Sequence, residues 1–234
     1  MSAARVNAAS RLVMLAERIA KLHAQAGRDV LVARSRRALA EASADFERIL
    51  RELTLAAQAP ELRDNYRLLR LLWDEFRPAA QQPATPQGVR KLAERTEELA
   101  WIAQKGARML HEQSRSRATD LVMSAGSARA AAQRLGKLHL QRGFGLAANA
   151  MAREIKLAEG EIVLAIAHAR SAPETGEEMT ASARMAEDQL TFLRQAVERL
   201  EVARERTTQL EHVAKSSDHI AETMDRIARH YETL

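Results

Sequence analysis

The stretch "AERIAKLHAQ" at residues 16–25 returns as "AQRLGKLHLQ" at residues 132–141, an offset of 116 positions. Two further pairs keep the same order along the chain. "TLAAQAPE" (54–61) answers to "AHARSAPE" (167–174), and "AERTEELAWIAQKG" (93–106) to "RERTTQLEHVAKSS" (204–217). Internal self-similarity of this kind marks a duplicated structural unit. Each copy holds four stretches with apolar residues at spacings of three and four, the signature of helices with one buried face. The expected fold is all-α: two tandem four-helix-bundle-like units with long antiparallel helices, residues 1–115 and 116–234.

Composition agrees. Of the 234 residues 46% are hydrophobic but only 3% aromatic, so the apolar volume is Ala, Leu, Ile, Val and Met. Those residues, with Glu, Arg and Gln, favour helix, whereas the β-branched and aromatic clusters of strands are absent. Punctuation is sparse, with five prolines and nine glycines. Helices are expected over 3–25 and 29–58, then from Pro60 to just before Pro78, with "PAAQQPATPQG" (78–88) as a linker. A rod over 89–141 is expected next, carrying the chain between copies near residues 114–118 without a break. A helix over 146–169 follows the glycines of "QRGFG". The stretch 179–234 reads as one rod or as two helices turning near Leu200.

Several classes of function are disfavoured. The 36 basic and 31 acidic residues leave a formal charge of +5, spread without a block of like charges, so neither a nucleic-acid arm nor a polybasic membrane patch is expected. There is no cysteine, hence no disulfide, thiolate nucleophile or Cys-based metal site. Charged residues interrupt the N-terminal apolar positions, and no segment is apolar enough to span a bilayer, so the expectation is a cytoplasmic chain without a membrane association. Nucleophile motifs, phosphate loops and the Glu-x-x-His pair of di-iron bundles are missing. No enzyme and no cofactor is expected.

The repeated first helix presents two faces. One carries Leu12, Ala16, Ile19 and His23, matched by Ala128, Ala132, Leu135 and His139, and reads as core. The other differs between copies: Ser10, Val13, Glu17 and Ala20 against Gly126, Arg129, Gln133 and Gly136. Two glycines flanking an arginine invite close approach by another helix. A guanidinium held at such a crossing needs a carboxylate or a bound anion, and its planar fork suits a planar oxyanion. The alternative is a solvated surface arginine. Trp73, Trp101 and Phe192 sit among aliphatic residues at helical spacing and read as core.

"NAASRLVMLAERIAKLH" (7–23) and "SAGSARAAAQRLGKLHLQ" (124–141) resemble the first-helix signature of PilJ/NarX-type sensor domains, roughly Ala-Gly-x-x-Arg-Met-Leu-Ser-Gln-Arg-x-x-Lys. "DQLTFLRQAVE" (188–198) and "VAKSSDHIAETMDRIARHYE" (213–232) are similar to later stretches of the same domain. The resemblance implies a helical sensor that holds nitrate or nitrite between two first helices, through arginines of this motif, and reports to a separate regulatory or signalling protein. Carried over, the motif arginine is Arg129, with Gly126 and Gln133 beside it. In copy one Val13 takes its place, with Ser10 for the glycine and Arg11 as the nearest cation. The second motif arginine is Arg18 or Arg134. The ligand-binding set is therefore Arg129, Gly126, Gln133, Ser10, Arg11 and Val13. The two first helices either face each other within one chain or pair across a homodimer. A helical adaptor or scaffold without a small-molecule ligand is the other reading.

Overall fold

The computed structural model describes residues 3–145, 148–200 and 206–234. Eight α-helices carry the described chain, with no strand among those residues: α1 (Ala3–Ala26), α2 (Val32–Ala56), α3 (Pro60–Gln81), α4 (Pro86–Gln113), α5 (Arg117–Gln141), α6 (Ala148–Ser171), α7 (Gly176–Leu200) and α8 (Arg206–Tyr231). Short 3-10 turns at Arg142–Phe144 and Pro173–Thr175 link α5 to α6 and α6 to α7.

The repeat in sequence is a repeat in packing. Helix α1 lies against α2 and α4, as α5 lies against α6 and α8, while α3 packs on α4 as α7 packs on α8. The two first helices, α1 and α5, then pack on each other in the middle of the molecule. Between Val6 and Gln25 only Ala8, Arg11 and Arg18 are partly exposed, and between Leu121 and Gln141 only Met123, Ser124, Ser127 and Arg134. A helix enclosed on every side needs apolar or small residues all round, which explains the alanine content of α5.

The expected core stripe is in place. Leu12, Ala16, Ile19, Ala128, Ala132 and Leu135 have no exposed surface, and His23 and His139 are buried with them. At Gly126 and Gly136 of α5 the neighbouring helices approach closely. A Cβ on Gly126 would lie 2.6 Å from the Ser10 hydroxyl, and one on Gly136 would lie 2.5 Å from that of Ser217. Both glycines are requirements of the contact.

Three expectations need correction. The rod over 89–141 is interrupted: α4 ends at Gln113 and α5 begins at Arg117. Ser116 caps α5, its hydroxyl accepting from the Thr119 N–H while the Thr119 hydroxyl accepts from the Ser116 N–H. That reciprocal pair starts a helix with no glycine or proline to announce it. Helix α3 runs through Pro78 to Gln81, so the linker shrinks to residues 82–85, closed by the Thr85 side chain capping α4. Of the two readings of the C-terminal stretch the structure has the second, two helices packed side by side, α7 and α8, and residues 201–205 near the expected turn lie outside the described residues.

The third correction concerns the aromatics. Trp73 is fully buried, stacked on Phe46 at 4.2 Å and near Phe76 at 5.9 Å. Trp101 and Phe192 are 60% and 54% exposed. Trp73→Ala should therefore cost about 3–5 kcal/mol in chemical denaturation, whereas Trp101→Ala should stay within roughly 0.5 kcal/mol of the parent.

Candidate functional site

The α1–α5 contact carries a seam of buried charge. Arg129 is fully buried on α5, where Gly126, one turn earlier, lets α1 come close. One terminal nitrogen of its guanidinium donates to the Asp225 carboxylate on α8. The other donates to the Asn7 side-chain oxygen at 2.9 Å and the Ser10 hydroxyl at 2.9 Å, both on α1. Asp225 is shared further. Arg229 grips its second oxygen, with Nε at 2.9 Å, and Arg11 Nε lies 4.0 Å from the first. Three guanidinium groups thus converge on one carboxylate. Asn7 in turn donates to Glu232 at 2.6 Å.

Electrostatics follow from this crowding. Burial lowers the Arg129 guanidinium to about 10, against the pull of Asp225, and it stays charged at neutral pH. Burial would raise the Asp225 carboxyl, but Arg129, Arg11 and Arg229 outweigh it and hold the group below the usual carboxylate range. Two donors are left over: the Nε of Arg129 and the Nε of Arg11 are buried without a hydrogen-bond acceptor. Asp225 also lines a cavity of about 530 Å³ between α7 and α8, with Arg226 and Arg229. The carboxylate has a route to solvent that Arg129 itself lacks.

Further along the seam, Lys21 of α1 is fully buried and donates to Asp218 at 2.7 Å and to the Ser217 hydroxyl at 3.1 Å. Gln133 donates to the same Asp218 oxygen at 3.0 Å. Lys137, the equivalent of Lys21, lies 2.7 Å from the Glu17 carboxylate, and both are buried. Arg134 holds Glu161 at 2.6 Å, and Arg18 lies 3.9 Å from Asp218.

Of the six residues named from the sequence, Arg129, Gly126, Ser10 and Arg11 meet around Asp225. Gln133 belongs to the Asp218 cluster, and Val13 lines a separate cleft with Glu17 and Trp101. Arg129 reaches Ser10 within one chain, the internal one of the two arrangements. Sequence reasoning missed Asp225, Asn7, Asp218, Lys21 and Lys137. The closing lysine of the first-helix signature was a signal for the last two. Asp225 had a subtler one, because the same offset that pairs Gly106 with Ser217 puts Ser114 opposite Asp225. Arginine and aspartate are present together in one copy and absent together from the other.

Residues 1–96 match the model of the PilJ family, described as type IV pili methyl-accepting chemotaxis transducer N-term. The match covers 96 of the 234 residues and is a likeness to a signal-transducer domain. No curated protein and no solved structure matches the chain. The match ends within α4, and the second half is related to the first by the sequence repeat and the shared packing. No helix among the described residues is long and apolar enough to cross a membrane.

Removing one partner of a buried ion pair strands the other charge. Asp225→Ala should destabilise the fold by about 3–5 kcal/mol, while the paired Arg129→Met/Asp225→Leu variant should recover most of that loss. The pH dependence has a definite sign. A carboxylate with a depressed folded-state pKa stabilises above its unfolded value, about 3.9, and that contribution goes as pH falls through the folded value. Denaturation curves of the parent should therefore lose stability below about pH 4 more steeply than those of Asp225→Asn.

Proposed function

We propose that this chain is a sensor for a small planar oxyanion, nitrate or nitrite first, which passes its signal to a separate protein. The PilJ-type segment supplies the signalling class. The observation that carries the anion is the surplus of positive charge at the α1–α5 crossing: Arg129, Arg11 and Arg229 share the single carboxylate of Asp225, and two buried Nε–H donors lack acceptors. Asp225 offers these guanidinium groups what nitrite or nitrate would offer, a planar group with oxygens at fork spacing. A ligand arriving through the α7–α8 cavity joins or displaces it. Each charge-assisted hydrogen bond contributes about 1.5–3 kcal/mol, so three or four support roughly micromolar binding after ordering costs.

A specific observation favours a second reading, a helical adaptor without a small-molecule ligand. Asp225 already neutralises Arg129, and an intramolecular carboxylate competes at high effective concentration. Calorimetric titration with nitrate and nitrite decides between the two. The sensor reading expects saturable heat from the parent protein, tighter binding by Asp225→Asn, none by Arg129→Ala, and partial binding by Arg129→Lys, which keeps charge but loses the fork. If a folded Asp225→Asn protein gives no heat and no thermal stabilisation with either anion, the site is structural and the adaptor reading stands.

A further inference from the structure

Trp101 stands on the outside of α4, and its surroundings are organised. Between α3 and α4 runs a groove of about 540 Å³ walled by Leu68, Leu72, Trp101 and Ile102, with Glu97 and Glu98 on its rim. Leu71, 61% exposed, extends the apolar surface along α3. On the other side of Trp101 a cleft of about 430 Å³ shares Trp101 and Glu97 and reaches Glu154 and Glu161 on α6; its two cations, Arg134 and Lys137, are paired with Glu161 and Glu17. An exposed tryptophan flanked by exposed leucines is surface a monomer gains nothing by leaving in water.

The rim has a sign. Glu161 is held by Arg134, but Glu97, Glu98 and Glu154 form no ion pair among the described residues. On the same two helices Asp64 is matched by Arg67, Asp74 by Arg70 and Glu75 by Arg95, while Glu61, Glu94 and Glu112, like Glu97 and Glu98, are in no ion pair among the described residues. The carboxylates beside the exposed Trp101 are thus free to meet a partner's cations. A groove between two helices, with apolar positions at i, i+3 and i+4, accepts the apolar stripe of a third helix.

We propose that the face centred on Trp101 docks a basic amphipathic helix of a partner protein: apolar residues enter the α3–α4 groove and Lys or Arg residues meet Glu97, Glu98 and Glu154. The occupant is a helix because the groove is helix-shaped, and basic because its rim is acidic and unpaired. This face gives a place to the relay invoked above and rests on that reading. It lies on different residues from Arg129, so failure of the docking face and failure of the anion site are read out separately.

The test uses the whole chain and two labelled synthetic peptides: a short Leu/Lys amphipathic helix, and the same sequence with Glu in place of every Lys. Fluorescence anisotropy should show the Lys peptide binding the parent protein and the Glu peptide failing to bind. Glu97→Lys combined with Glu98→Lys should weaken the Lys peptide by about tenfold or more, and so should Trp101→Ser. Arg129→Ala should leave its affinity unchanged, with circular dichroism confirming that each variant is folded. Equal binding of both peptides would overturn the proposal, as would parent-like binding by the Glu97/Glu98 variant. Self-association of the parent that Trp101→Ser abolishes would overturn it too, because the occupant would then be a second copy of this chain.

Discussion

Placing Arg129, Lys21 and Lys137 between two central helices obliges the chain to bring a carboxylate to each of them. The cost of leaving such a charge unpaired in the interior is several kcal/mol, comparable with the whole stability of a domain. Much of the remaining architecture serves that constraint. Helix α8 delivers Asp225 and Asp218 into the seam, one on Arg129 and one on Lys21. Helix α1 delivers Glu17 to Lys137. Gly126 and Gly136 let the backbones close enough for these short contacts to form. The interface between the halves is thus held in register by two ion pairs, Lys21–Asp218 and Lys137–Glu17, and by the hydrogen bonds of Arg129 to Asn7 and Ser10, within an otherwise alanine-rich contact.

The two halves solve the problem differently. Lys21 takes its counter-charge from α8, but at the repeat offset the residue of α4 that corresponds to Asp218 is Ala107, and Lys137 pairs with Glu17 on α1 instead. Gln133 stands where copy one has Glu17 and donates to Asp218, leaving that aspartate its negative charge for Lys21. Val13 and Ser114 occupy the positions that Arg129 and Asp225 hold in the second copy. A duplicated scaffold therefore carries an unsymmetrical charge pattern, and the Arg129 centre lies to one side of the pseudo-twofold rather than on it.

What the sequence disclosed and what it withheld follow from the range of the interactions. Helix periodicity and the repeat are patterns within one segment, and they carried the helical architecture and the core stripe of α1 and α5. The Ser116 cap at the α4–α5 joint was missed because it involves hydroxyls inside a run of otherwise helical residues. Pro78 was read as a stop because a proline inside a helix removes one hydrogen bond, yet α3 continues for a further turn. Trp101 and Trp73 look alike in sequence, and only the position of α3 and α4 relative to the rest separates a buried ring from an exposed one. Arg129, Gly126, Ser10 and Arg11 were legible as a group, since all four lie on the repeated helix. Asp225 is 96 residues from Arg129, and nothing local to either announces the other.

The hydrogen bond from Asn7 to Glu232 joins the start of α1 to the end of α8. That contact stands, in the packing scheme, where the 114–116 turn stands between α4 and α5. The molecule has the connectivity of a closed ring of eight helices with two equivalent joints, one covalent and one held by side chains. A permuted chain beginning at α5 and ending at α4, with Glu232 linked to Asn7, would trace the same ring from the other joint and present the two copies in exchanged order.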